Sequence, residues 1–133
     1  MTSKVTYTGS LRTQSVHFQS GTEIITDAPT DNNGKGEAFS PTDMVANSLA
    51  TCMFTIMGIK ANQMNINFDG STASVTKIMQ SEPRMISKII VAFDMNMSVD
   101  EKTKTILERA ALTCPVYLSL HPEIQKEVTF NWL

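Results

Sequence analysis

A chain of 133 residues, 41% of them hydrophobic, is long enough for one folded domain and too apolar to stay disordered. Its formal net charge is −2 and no segment is rich in Lys or Arg, so neither nucleic acid nor an anionic membrane surface is expected as a partner. Met1 to Thr6 carry no long apolar run, and no apolar stretch of about 18 residues stands out. Neither a signal peptide nor a membrane span is therefore expected, and the expected location is cytoplasmic, where two cysteines point to chemistry or core packing rather than a permanent disulfide.

The first 26 residues read as strands. Lys4 to Thr8 alternates polar and apolar, and Gly9-Ser10 offers a turn. Ser15 to Gln19 and Thr22 to Thr26 flank Ser20-Gly21, the pattern of a hairpin. Asp27 to Gly36 is a loop by composition, suited to lining a site. A helix is predicted from Ser40, where Ser40-Pro41-Thr42-Asp43 forms a capping box with Pro at the first helical position. Val45, Leu49, Cys52, Met53 and Ile56 fall on one helical face. Met44, Ala46, Ala50 and Met57 make other faces apolar, so the helix is expected to be central and buried, fading near Asn62 to Asn65.

Two strands are predicted next, Thr72 to Met79 and Lys88 to Met95, with a turn at Ser81 to Arg84. A second helix is predicted from Ser98, whose capping box would be Ser98-Val99-Asp100-Glu101. Ile106, Ala110 and Thr113 share one face, with Leu107 and Ala111 beside it, while Lys102, Lys104, Glu108 and Arg109 mark a solvated side. Pro115 disfavours α geometry at Cys114, so the helix should end or kink there. Glu127 to Trp132 is a closing strand. No repeat or linker interrupts the chain, and the expected class is a single α+β domain over residues 1–133.

By itself, Cys52 reads as a small buried hydrophobe in the middle of a helix. Cys114, at a helix end, occupies a more accessible kind of position, balanced between packing and function. Their separation excludes a CxxC motif, and His17 and His121 lie at no ligand spacing, so no metal site and no bound cofactor are expected. Gly34-Lys35-Gly36 is a turn rather than part of a phosphate-binding loop, and Met44, Met53 and Met57 suit a core. His17, in a strand, is structural rather than a base.

A longer pattern carries more information. Leu11-Arg12-Thr13, His17, Ser20-Gly21, Thr26-Asp27-Ala28-Pro29, Asp31-Asn32, Gly36-Glu37, Phe39-Ser40-Pro41-Thr42-Asp43 and Cys52, with Cys114-Pro115-Val116 late in the chain, resemble the OsmC/Ohr family over nearly the whole length. The resemblance implies an intertwined homodimer in which strands wrap two long central helices, with active sites at the subunit interface. It implies thiol-dependent reduction of organic hydroperoxides, with inorganic peroxide a further candidate. Cys52 would attack the peroxide and become a sulfenic acid, Cys114 would condense with it to a disulfide, and an external dithiol reductant would restore both thiols.

A thiol with a pKa of about 8.5 is mostly protonated at neutral pH, so such chemistry needs a cation near the sulfur. In the family an Arg from the N-terminal strands serves, held by a Glu. Arg12 is assigned that role here, in preference to that of a solvated turn residue. Where the family's peroxidases carry Glu directly after the helix-starting Pro, this chain has Thr42. Asp43, expected to be engaged as a cap, and Glu37 in the preceding loop are the substitute carboxylates considered. Two alternatives stay open: another Cys52-dependent enzyme, a transferase or hydrolase, and a dimer that binds a small molecule or senses redox state.

Overall fold

The computed structural model describes residues 1–133, which fall into two compact units, Met1–Val45 and Ala46–Leu133. In the first, β1 (Ser3–Gly9), β2 (Arg12–His17) and β3 (Glu23–Asp27) form an antiparallel sheet in chain order. Gly9 pairs with Arg12, so the two-residue turn is Ser10-Leu11 rather than Gly9-Ser10, and both turn residues take positive φ, as a type I′ turn requires. The second hairpin exists as expected, but its turn is wider than Ser20-Gly21. β2 stops at His17, whose N–H donates to Thr22 O at 2.9 Å, while Gly21 N–H donates back to His17 O at 2.7 Å. The following loop is tightly built. A 3₁₀ turn, Thr30–Asn32, is tied to Pro29 O by the N–H groups of Asn32 and Gly34, both at 2.9 Å. Gly34 packs so closely that a Cβ there would lie 1.7 Å from Ala28 O, which excludes every larger residue.

α1 (Pro41–Gln63) opens on the expected capping box: Ser40 Oγ accepts from Asp43 N–H and Asp43 Oδ2 from Ser40 N–H, each at 3.0 Å. The second unit takes α1 from Ala46 onward. It adds β4 (Thr72–Ser81), β5 (Arg84–Met95), α2 (Glu101–Leu112), α3 (Pro115–Ser119) and β6 (Gln125–Trp132). Its sheet has the order β4-β5-β6, with β4 antiparallel and β6 parallel to β5. A parallel pair needs a crossover, and α2 and α3 supply it. Leu49, Met53 and Met57 of α1 pack with Ile89, Val91 and Phe93 of β5, all fully buried. Phe93 stacks on Phe130 at a centroid distance of 5.0 Å and meets Phe54 edge-on at 4.8 Å.

Several sequence expectations are corrected. The buried stripe of α1 is Ala46, Leu49, Ala50, Met53, Met57 and Ala61, whereas Val45 is exposed and Cys52 and Ile56 are only partly covered. α1 is also long and apolar enough, by length and composition, to cross a membrane, and only a third of its most apolar window is buried. Scattered Asn, Ser and Thr residues disguise this in the sequence. β5 starts at Arg84 rather than Lys88, because a bulge at Ser87, whose hydroxyl donates to Ile78 O at 3.0 Å, shifts the buried positions from Ile86 to Ile89. α2 is capped by Asp100, which accepts Thr103 N–H at 2.8 Å, not by Ser98. Its buried residues are Leu107 and Ala111, whereas Ile106, Ala110 and Thr113 line an open groove of about 420 Å³ together with Ile56 and Ile59.

Candidate functional site

The break at Pro115 positions the second thiol. α2 ends at Leu112, the chain turns through Thr113, and Cys114 becomes the N-cap of α3, with Pro115 as that helix's first residue. Cys114 Sγ accepts Tyr117 N–H at 3.3 Å. The sequence expectation of an accessible Cys114 is corrected: it is fully buried, because the restarted helix folds its cap residue into the core. Cys52, one step off the buried stripe of α1, is the partly exposed thiol of the two. Both are free, and Cys52 lies near enough to Cys114 to influence its thiol. Burial pushes the Cys114 thiol up from its ordinary range, and the nearby Cys52 pushes the same way. The Tyr117 N–H pulls down and is outweighed.

The first unit carries a second constellation. Arg12 opens β2 and faces Asp27, the last residue of β3, in the strand register. The guanidinium grips Asp27 through both carboxylate oxygens, Nε to Oδ1 at 2.7 Å and Nη2 to Oδ2 at 2.8 Å. Asp27 is 2% exposed, and its Oδ2 also accepts the Glu37 N–H at 3.0 Å. The hydrogen bond from Arg12 holds the Asp27 carboxyl below the usual carboxylate range, and the same bond makes the guanidinium cling to its proton more firmly still. Glu37 joins more weakly, with its exposed carboxylate 3.6 Å from Arg12 Nη2.

Among the remaining candidates, Asp43 is engaged in the cap of α1, and Thr42 Oγ1 lies 3.2 Å from Ser40 Oγ. Sequence reasoning missed Asp27 as the partner of Arg12. The signal was present in the hairpin, since extending its true register from Val16–Glu23 reaches Arg12–Asp27. Assuming a two-residue turn at Ser20-Gly21 slides the register by two residues and places Arg12 opposite Pro29 instead.

A two-unit α+β chain bearing a part-buried guanidinium–carboxylate pair in one unit and two neighbouring free thiols in the other defines a class of two-cysteine proteins. Residues 34–129 match the family model described as OsmC-like protein, and the chain belongs to the OsmC/Ohr family. A protein of Psychrobacter arcticus, described as a candidate osmotic stress induced and detoxification response protein, is 56% identical. It aligns over 98% of this chain and 96% of its own, with a TM-score of 0.96. The fold is shared with an organic hydroperoxide resistance protein, OsmC, of Legionella pneumophila at 14% identity and a TM-score of 0.73, over 98% of this chain and 97% of that one. It is shared also with an organic hydroperoxide resistance protein of Elizabethkingia anophelis at 14% identity and a TM-score of 0.75, over 100% and 97% of the two chains. No curated protein matches the sequence.

Proposed function

We propose that the protein is a thiol peroxidase that reduces small organic hydroperoxides in the cytoplasm. The observation that carries this reading is the neighbouring pair of a partly exposed Cys52 and a buried Cys114. The names of the organic hydroperoxide resistance proteins that share the fold support it.

The Cys52 thiolate attacks the peroxide oxygen. The O–O bond breaks, the alkoxide leaves and takes a proton to become an alcohol, and Cys52 becomes a sulfenic acid. The Cys114 thiol then attacks the sulfenic sulfur, expelling water and forming a disulfide. An external dithiol returns two electrons and two protons, restoring both thiols and becoming a disulfide itself. Arg12 is the cation assigned to the Cys52 thiolate, and two copies of the chain form the working unit. That assembly is supported by the exposed large apolar residues of the N-terminal sheet, Val5, Tyr7, Ile24 and Ile25.

Mass spectrometry after one equivalent of an alkyl hydroperoxide tests the chemistry. The expected result is a loss of two hydrogens and a peptide linking Cys52 to Cys114; two persisting free thiols would overturn the reading. Light scattering tests the assembly and should return twice the mass of a single chain.

A further inference from the structure

We propose that Asn33-Gly34 is a site of spontaneous covalent modification governed by folding: the native loop protects the asparagine from deamidation, and the isoaspartate formed once the loop opens keeps it from closing again. The inference is independent of the peroxidase reading and lies wholly within the first unit.

An Asn-Gly step is open to this chemistry because glycine has no side chain to shield its own nitrogen. Gly34 N attacks Asn33 Cγ and the Cγ–Nδ2 bond breaks. Ammonia leaves with the proton lost from Gly34 N, and a succinimide ring remains. Water then opens the ring at either carbonyl, with no change of oxidation state. Cleavage of the new Cγ–N bond gives aspartate on the original backbone path. Cleavage of the old peptide bond gives isoaspartate, in which the backbone runs through Cβ and Cγ and is one atom longer.

Asn33 is exposed, so water reaches it; what the native loop denies is geometry. Its φ of 67° and ψ of 9° form a left-handed turn that Asn tolerates. A ψ near zero eclipses Gly34 N with the nitrogen of Asn33 itself, and the tetrahedral Cα holds Cβ well round from that position. Ring closure needs Gly34 N on the Cβ side. The Gly34 N–H is committed to Pro29 O at 2.9 Å, and Gly34 sits so close to Ala28 that a Cβ on it would lie 1.7 Å from Ala28 O. The Asn32 and Gly36 N–H groups clamp the loop on either side, on Pro29 O at 2.9 Å and Ala28 O at 3.3 Å. Turning the Asn33-Gly34 peptide breaks these contacts, so the reaction waits for local opening. Aspartate at position 33 can retake the same turn. Isoaspartate cannot, because its extra backbone atom falls inside the short span from Pro29 to Gly34 that these bonds close.

The test incubates the purified chain at mildly alkaline pH, natively and in urea, and follows Asn33 by peptide mass spectrometry. Digestion with Asp-N protease, which cleaves before aspartate and not before isoaspartate, separates the products. Deamidation should be slower in the native protein by about tenfold or more, because its rate follows the population of the open loop. Equal rates would overturn the protection, and no reaction in urea would overturn the site. The aged chains are then refolded, and trypsin cleavage at Lys35 is timed. Chains with isoaspartate should be cut several-fold faster than unmodified ones, whereas Asn33→Asp should match the wild type. Wild-type resistance of the isoaspartyl chains would overturn the block on closure. Equally fast cleavage of Asn33→Asp would assign the effect to charge and overturn it as well. Asn33→Gly, which suits a left-handed position, should resist trypsin and lose the mass change. A mass change that persists in this segment would place the reaction at Asn32 and overturn the assignment.

Discussion

Cys52 and Cys114 are neighbouring thiols with opposite surroundings: the first reaches the surface from the flank of α1, the second is sealed in the core at the start of α3. In the peroxidase reaction we propose, a peroxide arriving from solvent would meet Cys52 first, and Cys114 would receive what Cys52 becomes.

Under that proposal, the asymmetry gives the two thiols different roles. Cys52→Ser should abolish hydroperoxide consumption. Cys114→Ser should permit one rapid oxidation to a sulfenic acid, trappable with a cyclic 1,3-diketone, which then lingers or over-oxidises. Trapping the sulfenic acid on Cys114 in the Cys52→Ser protein would reverse the assignment.

The buried thiol also sets a pH dependence. Burial raises Cys114 above its ordinary range, so the unfolded chain releases this proton before the folded protein does. The stabilising contribution is therefore complete below the unfolded pKa and is lost as pH rises through the folded one. Urea midpoints should fall across the alkaline range, and more gently for Cys114→Ser. At neutral pH, iodoacetamide should label Cys52 well before Cys114, and equal labelling would contradict the burial.

Asp27 works in the opposite direction. The hydrogen bond from Arg12 depresses its pKa, so its contribution is present above the unfolded carboxylate value and is lost as pH falls through the folded one. The wild type should lose stability on acidification more steeply than Asp27→Asn. Parallel acid limbs in urea titrations would show that the ion pair does not contribute to folding.

The core of the second unit is most exposed to damage at Phe93, fully buried between Phe54 and Phe130. Phe93→Ala should destabilise by about 3–5 kcal/mol, the usual range for emptying a buried aromatic site. Val45→Ala, on the exposed side of α1, should cost less than about 1 kcal/mol in the isolated chain. Comparable losses for the two variants, measured by urea unfolding, would contradict the packing.

Local chemistry alone determined a good part of this protein. The Ser40–Asp43 capping box starts α1, because its two reciprocal hydrogen bonds need only four consecutive residues. Pro115 breaks the helix at Cys114 for a steric reason that is equally local. The OsmC/Ohr resemblance, carried by those same segments, was legible as well. What the sequence left open were choices between locally equivalent options. Ser98 and Asp100 are both sound caps, and the tertiary structure selects Asp100. α1 is apolar on nearly every side, so no stripe in the sequence outranks another, and packing against β5 decides that Leu49, Met53 and Met57 go inside while Cys52 stays partly exposed. The burial of Cys114 comes from a helix restarting after the break, and the pairing of Arg12 with Asp27 comes from a turn two residues wider than the shortest one. Both depend on where distant backbone lies, and that is a property of the folded chain rather than of any segment within it.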